Sequence, residues 1–274
     1  MSEEANGATR VAVLVSSCDR FFDAWRPFAA FWRRWWPADT LPWPVFLVVN
    51  HLPVRSDWLT PLAVGRDRGW SDNLRRVLER LDAEYLLYLQ EDYFLTGPPL
   101  EEALTGMVDR LDAEGADLLC LRPMPPGYGA EDWPQVPGSD GGLSEIPAGS
   151  PWRGRLQAAF WRRTALLAAL RPGESAWDFE ADAAERLRPL RAWTVTGGSD
   201  AAEALPYLSS AIVRGLWTTE ARLLCEGAGV RIEPGCRGTA STDKRENRRR
   251  RTWDRLRLPL ARWRQRWLQP PVRL

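Results

Sequence analysis

Apolar residues fall along this chain in two rhythms. The first is short, continuous and rich in β-branched residues: VAVLVSS (11–17), PVFLVVN (44–50), YLLYLQ (85–90) and ADLLCLRP (116–123). Runs of this length closed by polar residues predict buried strands. The second rhythm recurs every three or four residues. Phe21, Trp25, Phe28, Trp32 and Trp35 follow the first strand, and Leu74, Val77, Leu78 and Leu81 follow Ser71, a good N-cap. A further helix is predicted over 99–113. Leu59 to Val64 predicts a short third strand, and the proline within it makes it an edge. Strands alternating with amphipathic helices over 11–123 predict an α/β fold with a mostly parallel sheet flanked by helices. Such sheets bind ligands beyond the carboxyl ends of their strands. Three polar clusters stand at those ends: Ser16-Ser17-Cys18-Asp19, Asn50-His51 and Gln90-Glu91-Asp92.

The second half reads less cleanly. Residues 124–154 are rich in proline and glycine, with acids and aromatics between them, and predict a long functional or disordered loop. RLQAAFWRRTALLAAL (155–170) reads as a helix. RPGESAWDFEADAAERL (171–187) is a Pro-Gly break, a serine cap and an acidic first turn. AWTVTGG (192–198) predicts a strand, and 216–226 a helix ended by Gly227.

Composition narrows the functional classes. Residues 242–274 hold twelve Lys/Arg against three Asp/Glu, a net +9 in a chain of net +1, which leaves residues 1–241 at −8. An acidic body with a basic tail is not the profile of a nucleic-acid binder, whose basic patch sits on the fold; it suits a domain tethered to an anionic surface. Cys18, Cys120, Cys225 and Cys236 are scattered, and His51 is the single histidine, so zinc spacing is absent. Free thiols and the acidic, polar start MSEEANGATR point to the cytoplasm. There is no run long enough to span a membrane, and no GxGxxG, P-loop or GxSxG motif. A nucleophilic triad would have to run through His51.

Two acidic constellations carry candidate chemistry. Glu91 and Asp92 at a strand end could converge on one hard cation, Mg²⁺ or Mn²⁺, with phosphate oxygens completing the shell; the alternative is a solvent-facing strand end paired to arginine. Trp177-Asp178-Phe179-Glu180 sets two acids among aromatics at a helix start. They are either ordinary first-turn acids or a carboxylate whose pKa is raised for general-base work. Ser71-Asp72-Asn73, at another helix start, is a cap or a phosphate or sugar contact.

Taken in order, SSCDR, GWSDNL, YLLYLQEDYF, RLQAAFWRR, SAWDFE and RGLWTTEA resemble the bacterial family-2-like glycosyltransferases of the GT-A fold, of the kind that build capsular and other surface polysaccharides. The resemblance spans about residues 10–238 and rests on order and spacing rather than on one motif. It implies a single GT-A domain, with residues 1–9 a disordered start, 10–123 binding a nucleotide-diphosphate-sugar, 124–241 forming the acceptor side and 242–274 a basic tail. It implies donor contacts at Ser16, Ser17, Asp19 and Asp72. It matches Gln90, Glu91 and Asp92 to the acidic motif that holds a divalent cation (Mn or Mg) on the diphosphate, with Gln90 standing where the family has an acid. It implies an inverting transfer with Glu180, or Asp178 as second choice, as base. The acceptor, a glycan, a lipid-linked glycan or a small molecule, would meet Tyr128, Trp133, Trp152, Gln157 and Trp177. The other readings are a GT-A-like protein that binds nucleotide-sugar or carbohydrate without transfer, and a nucleotidyltransferase, whose usual glycine- and basic-rich phosphate loop is not seen here.

In the tail, Trp253, Leu256, Leu260, Trp263 and Trp267 recur at helical spacing with arginines between them, and Pro259 should kink the helix. Residues 248–268 therefore read as an element for an anionic membrane surface, or as a helix docked on the acidic body. With a lipid-linked acceptor, the resemblance implies a peripheral place on the inner face of the plasma membrane.

Overall fold

A computed structural model describes residues 9–36, 41–233 and 236–274. The expected disordered start lies, Thr9 apart, outside the described residues. The chain runs β1 (Thr9–Ser16), α1 (Phe22–Trp35), β2 (Val45–Val49), β3 (Val54–Arg55), β4 (Leu59–Ala63), α2 (Trp70–Leu78), β5 (Ala83–Gln90), β6 (Phe94–Leu95), α3 (Glu101–Ala113) and β7 (Leu118–Cys120). It continues through β8 (Leu143–Glu145), β9 (Ala159–Arg162), α4 (Arg163–Ala169), α5 (Ala176–Asp182), α6 (Ala184–Leu187), β10 (Ala192–Val195), β11 (Tyr207–Leu208), β12 (Ile212–Val213), β13 (Leu216–Trp217), α7 (Thr219–Gly227), α8 (Lys244–Trp267) and β14 (Val272–Arg273).

Eight strands form one sheet in the order β4-β2-β1-β5-β9-β7-β10-β8. The pairs β4–β2, β2–β1, β1–β5 and β7–β10 are parallel; β9 runs antiparallel between β5 and β7, and β8 lies antiparallel on β10. This is the α/β architecture, a mostly parallel sheet flanked by helices, that the sequence predicted. Alternation along β1 divides the core. Val11, Val13 and Val15 face α1 and α3, while Ala12 and Leu14 face α2, α4 and α5. Tryptophan fills much of this space: Trp25, Trp161, Trp193 and Trp217 are fully buried, and Trp32 stacks on Trp36 with centroids 4.5 Å apart.

Several expectations are corrected. The run AAFW belongs to a strand, not a helix. Ala159, Phe160 and Trp161 are wholly buried, and their backbone is satisfied from both sides by β5 and β7. A four-residue apolar run fits either element by pattern alone, and the open slot in the sheet decides it. Helix α2 is capped by Gly69 at φ 102°, so Ser71 is not its cap. Ser71 is instead buried, its hydroxyl accepting from the Glu174 amide at 3.0 Å. Within the irregular 124–154 segment, β8 completes the sheet edge. Residues 216–217 pair as β13 before α7 begins.

β12 and β13 form a tight hairpin whose two turn residues, Arg214 and Gly215, both take the left-handed conformation (φ 51° and 82°). That geometry suits a two-residue hairpin. An arginine in it costs about 1 kcal/mol where glycine or asparagine would not.

The tail is a continuous helix, and Pro259 sits within it without ending it. It docks through Asp254, Leu258, Ala261 and Gln265, and the chain is then pinned by β14 pairing in parallel with β3. The predicted apolar stripe faces outward: Trp253, Leu256, Leu260, Trp263 and Trp267 are 51–65% exposed.

The junction between tail and body rests on a buried ion pair. Arg237 Nε and Nη2 donate to the two oxygens of Asp23 at 3.1 and 3.2 Å, both side chains out of solvent. Removing one partner strands the other charge. Arg237→Met should cost about 3–5 kcal/mol of unfolding free energy in urea, and Asp23→Leu/Arg237→Met should recover most of it.

Candidate functional site

Strand order reverses between β1 and β5, the switch point at which ligands bind in open α/β sheets. The parallel register sets Ser16 opposite Gln90, so the polar residues after both strands gather at one carboxyl edge. Ser16 is buried near the Tyr88 hydroxyl, which accepts from the Trp70 indole at 3.1 Å and the Gln90 amide at 3.4 Å. Burial pushes that phenol up to about 12. Ser17 accepts from the Trp25 indole at 2.8 Å.

The acidic pair is sunk in the protein, Glu91 and Asp92 being only 7% and 6% exposed. Burial, reinforced by Asp92, pushes the Glu91 carboxyl well above the carboxylate range, and burial raises Asp92 to about 6. Asp92 is turned inward. Its Oδ2 accepts from the Ile212 amide at 3.0 Å, and its carbonyl accepts from Ala211 at 3.0 Å, which hangs the β12–β13 hairpin on the end of β5. A divalent cation on Glu91 and Asp92 does not fit this arrangement. One Asp92 oxygen is committed to an N–H, and neither carboxylate lines either cleft described below.

Other predicted donor contacts also hold structure. Asp19 accepts from three amides: Asn50 at 2.8 Å on one oxygen, and His51 at 2.8 Å and Leu52 at 3.0 Å on the other. Its own amide donates to the Asn50 side chain at 3.0 Å. Asp19 thus locks the end of β1 to the end of β2, with both of its buried carboxylate oxygens engaged. Asp72 accepts from the Gly173 amide at 2.7 Å, tying α2 to the turn before α5.

The two candidate bases separate. Asp178 forms a capping box with Ser175, and those hydrogen bonds hold its exposed carboxyl below the usual range, so it is a cap rather than a base. Glu180 is half-buried, and desolvation raises its pKa. Its Oε1 accepts from the Leu156 amide at 2.9 Å. Gly154 lets this turn lie against α5, since a Cβ there would come within 3.0 Å of the Phe179 carbonyl. The Leu156 carbonyl in turn accepts from the hydroxyl of Tyr93, the residue after Asp92. Gln157 continues the network, its side-chain oxygen accepting from Tyr207 at 3.1 Å.

The aromatics predicted on the acceptor side disperse. Tyr128 and Trp152 meet edge-to-face at 5.0 Å on the surface, Trp133 packs against the core, and Trp177 stands 69% exposed on α5.

Two clefts open along the carboxyl edge. One, of about 780 Å³, lies beyond β7 and β10, between Arg122, Glu131, Gln135, Thr194, Glu203 and Tyr207. The other, of about 430 Å³, lies between the end of β1, the β12–β13 hairpin and α8, and is lined mainly by arginine. The sequence reading missed both. Their residues are far apart in the chain; Arg122, near the end of a predicted strand, and Arg20, directly after the Ser16–Asp19 cluster, carried a positional signal.

No protein-family model matches the sequence, and no curated protein matches it. Among solved structures the chain is similar to S. aureus TarS 1–349, with 14% identity over 74% of this chain and 61% of that one and a TM-score of 0.46. The same segment of TarS in complex with UDP-GlcNAc gives 14% identity, coverage of 73% and 57%, and a TM-score of 0.45. A CMP:2-keto-3-deoxy-manno-octonic acid synthetase complexed with CTP is similar at 12% identity, 81% and 98% coverage and a TM-score of 0.40. The chain spans about three fifths of the length of the first TarS structure. Likeness of this order concerns chain path, and no function follows from it.

The capping role of Asp19 makes a prediction. Asp19→Ala strands three amides at the β1–β2 edge, and should lower unfolding free energy by about 3 kcal/mol in denaturant titration.

Proposed function

We propose that this protein is a nucleotide-sugar-dependent glycosyltransferase that inverts at the transferred carbon, with Glu180 as base. The observation that carries the reading is the convergence, at one switch point, of the strand ends that the resemblance assigns to the donor, with a desolvated carboxylate two residue contacts away. Glu180 reaches Tyr93 through Leu156, and Tyr93 follows Asp92 directly. We assign the acceptor to the cleft beyond β7 and β10; Glu180 does not line it but adjoins it through Leu156, whose neighbour Gln157 accepts from Tyr207, itself faced by the Arg122 guanidinium 5.6 Å from its ring.

In the reaction Glu180 takes the proton of the acceptor hydroxyl. The oxygen forms the new glycosidic bond as the bond from the sugar carbon to the diphosphate oxygen breaks, and that electron pair leaves on the diphosphate. No nucleophilic side chain is needed, which suits a chain with one histidine. A binding protein of the same fold without transfer is the competing reading, favoured by Gln90 and by the inward turn of Asp92.

Rate and binding separate the two. A matching UDP-, GDP-, dTDP- or CDP-sugar should raise the melting temperature of the wild type and of Glu180→Gln alike. Transfer should fall at least about 100-fold in Glu180→Gln. Because burial raises the Glu180 pKa, its base form is lost as pH falls through that raised value. The acid limb of kcat/KM should therefore lie above the ordinary glutamate range and vanish in the variant. Near-normal turnover by Glu180→Gln places the base elsewhere.

The outward stripe of α8 supports a second element of the proposal, contact with an anionic membrane surface where a lipid-linked acceptor would lie. Trp253, Trp263 and Trp267 are more than half exposed, with Arg257, Arg264 and Arg266 between them. No helix of the described residues is long and apolar enough to cross a membrane. Trp253→Ser/Trp263→Ser/Trp267→Ser should keep the melting temperature and lose sedimentation with phosphatidylglycerol vesicles; retained sedimentation sinks the membrane contact.

A further inference from the structure

The cleft between the end of β1, the β12–β13 hairpin and α8 gathers six arginines: Arg20, Arg214, Arg237, Arg251, Arg255 and Arg262. Arg237 is neutralised by Asp23. The other five make no side-chain hydrogen bond or ion pair with any described residue. The one carboxylate in the lining, Asp254, is spent on the Gly238 amide at 2.9 Å. Five guanidinium groups drawn from three distant parts of the chain repel one another, and folding brings them together around a single carboxylate, Asp254.

Two further features point to a ligand. The Nε of Arg251 is buried with no partner, an exception to the rule that buried donors are satisfied. Arg214 occupies a left-handed turn position that favours glycine or asparagine. Strain of this kind, kept at the rim of a charged cleft, points to function. The cleft's place is equally specific. Arg20 follows the end of β1 at the switch point, and Arg237 lies close enough to Glu91 and Asp92 to pull both pKa values downward against burial.

Resting on the transferase reading, we propose that this cleft is the seat of a diphosphate, held by guanidinium groups and not by a divalent cation on Glu91 and Asp92. Arginine forks match phosphate oxygens two at a time, and the volume of about 430 Å³ admits a diphosphate. The same charges would stabilise the departing diphosphate as the sugar bond breaks. The ligand chemistry is a diphosphate or phosphate ester, from a sugar nucleotide or from a lipid headgroup.

Calorimetric titration of the full chain tests this, with inorganic pyrophosphate and with UDP, GDP, dTDP and CDP, each in EDTA and again in Mn²⁺. Pyrophosphate and at least one nucleoside diphosphate should bind in EDTA. Arg214→Asn should weaken binding about tenfold, and Arg255→Gln/Arg262→Gln about 100-fold. Arg214→Asn should keep or raise the melting temperature, because asparagine relieves the turn, so its loss of binding is not a loss of fold. Failure of pyrophosphate to bind overturns the proposal. So does binding that needs Mn²⁺, ignores the arginine substitutions and is lost in Asp92→Asn, an outcome that leaves the transferase reading standing. Pyrophosphate bound in EDTA with no response to any nucleotide or sugar nucleotide keeps the diphosphate seat and sinks the transferase. Phosphatidylglycerol vesicles that displace pyrophosphate where nucleotides cannot assign the seat to a lipid headgroup, and overturn the nucleotide source.

Discussion

One guanidinium holds the functional edge of this molecule together. Arg237 donates to both oxygens of Asp23 in α1, to the Arg20 carbonyl at 3.1 Å and to the Gly215 carbonyl at 3.0 Å. Three segments that meet nowhere in sequence are thereby fixed: the turn after β1, the β12–β13 hairpin and the chain that leads into α8. A buried ion pair seldom adds net stability, since desolvation offsets most of its attraction. This one is satisfied on every side that the structure describes, and its effect is to set positions. The hairpin is fixed a second time by Asp92, so the end of β5 and the start of α1 are both referred to the same short turn.

Charge at the carboxyl edge follows a division of labour. These acids are structural: Asp19 holds the β2 loop, Asp72 the turn at Gly173, Asp178 the start of α5 and Asp92 the hairpin, Asp19 and Asp92 being buried. The cations left over are arginines, and they face the cleft. A net charge near zero conceals this, because the body's excess acid is partly consumed in backbone caps, where an ionised carboxylate makes its strongest hydrogen bonds. Glu180 differs from the other acids. It caps one amide yet stays half-buried beside Arg155 with a raised pKa, the condition of a base rather than of a fixed anchor.

Most of the sheet was legible in the sequence because burial on both faces leaves continuous apolar runs. β1, β2, β5, β7 and β10 were each read within a few residues. β9 was not, since Ala159 to Trp161 fit a helix equally well, and what decides between them is a vacant slot between β5 and β7 that sequence distance conceals. The site was legible by location and less so by role. Polar residues at strand ends were found, but a carboxylate that binds a ligand and one that caps three amides look the same in a string of letters. Asp19, Asp72 and Asp178 were read as ligand or base, and the structure uses them as caps. The arginine cleft was not legible as a cleft, because Arg20, Arg214 and Arg255 are brought together only by the tertiary path.

The tail helix carries two patterns at once. Two stripes run along it at helical spacing. One is apolar, with Trp253, Leu256, Leu260, Trp263 and Trp267; the other is mixed, with Arg251, Asp254, Leu258, Ala261 and Gln265. By the usual rule the apolar stripe should face the core. Here the mixed stripe docks, because Asp254 finds the Gly238 amide, Gln265 finds the Pro270 carbonyl at 2.7 Å, and β14 then straps the chain to β3. The apolar stripe is left outward by that choice, a patch of the kind that marks an interaction site. The two faces are separated by one helix, about 10 Å across. Whatever surface the tryptophans meet therefore lies about that far from the arginine cleft, so a ligand anchored in that surface needs only a short reach to bring its phosphate within the cleft's field.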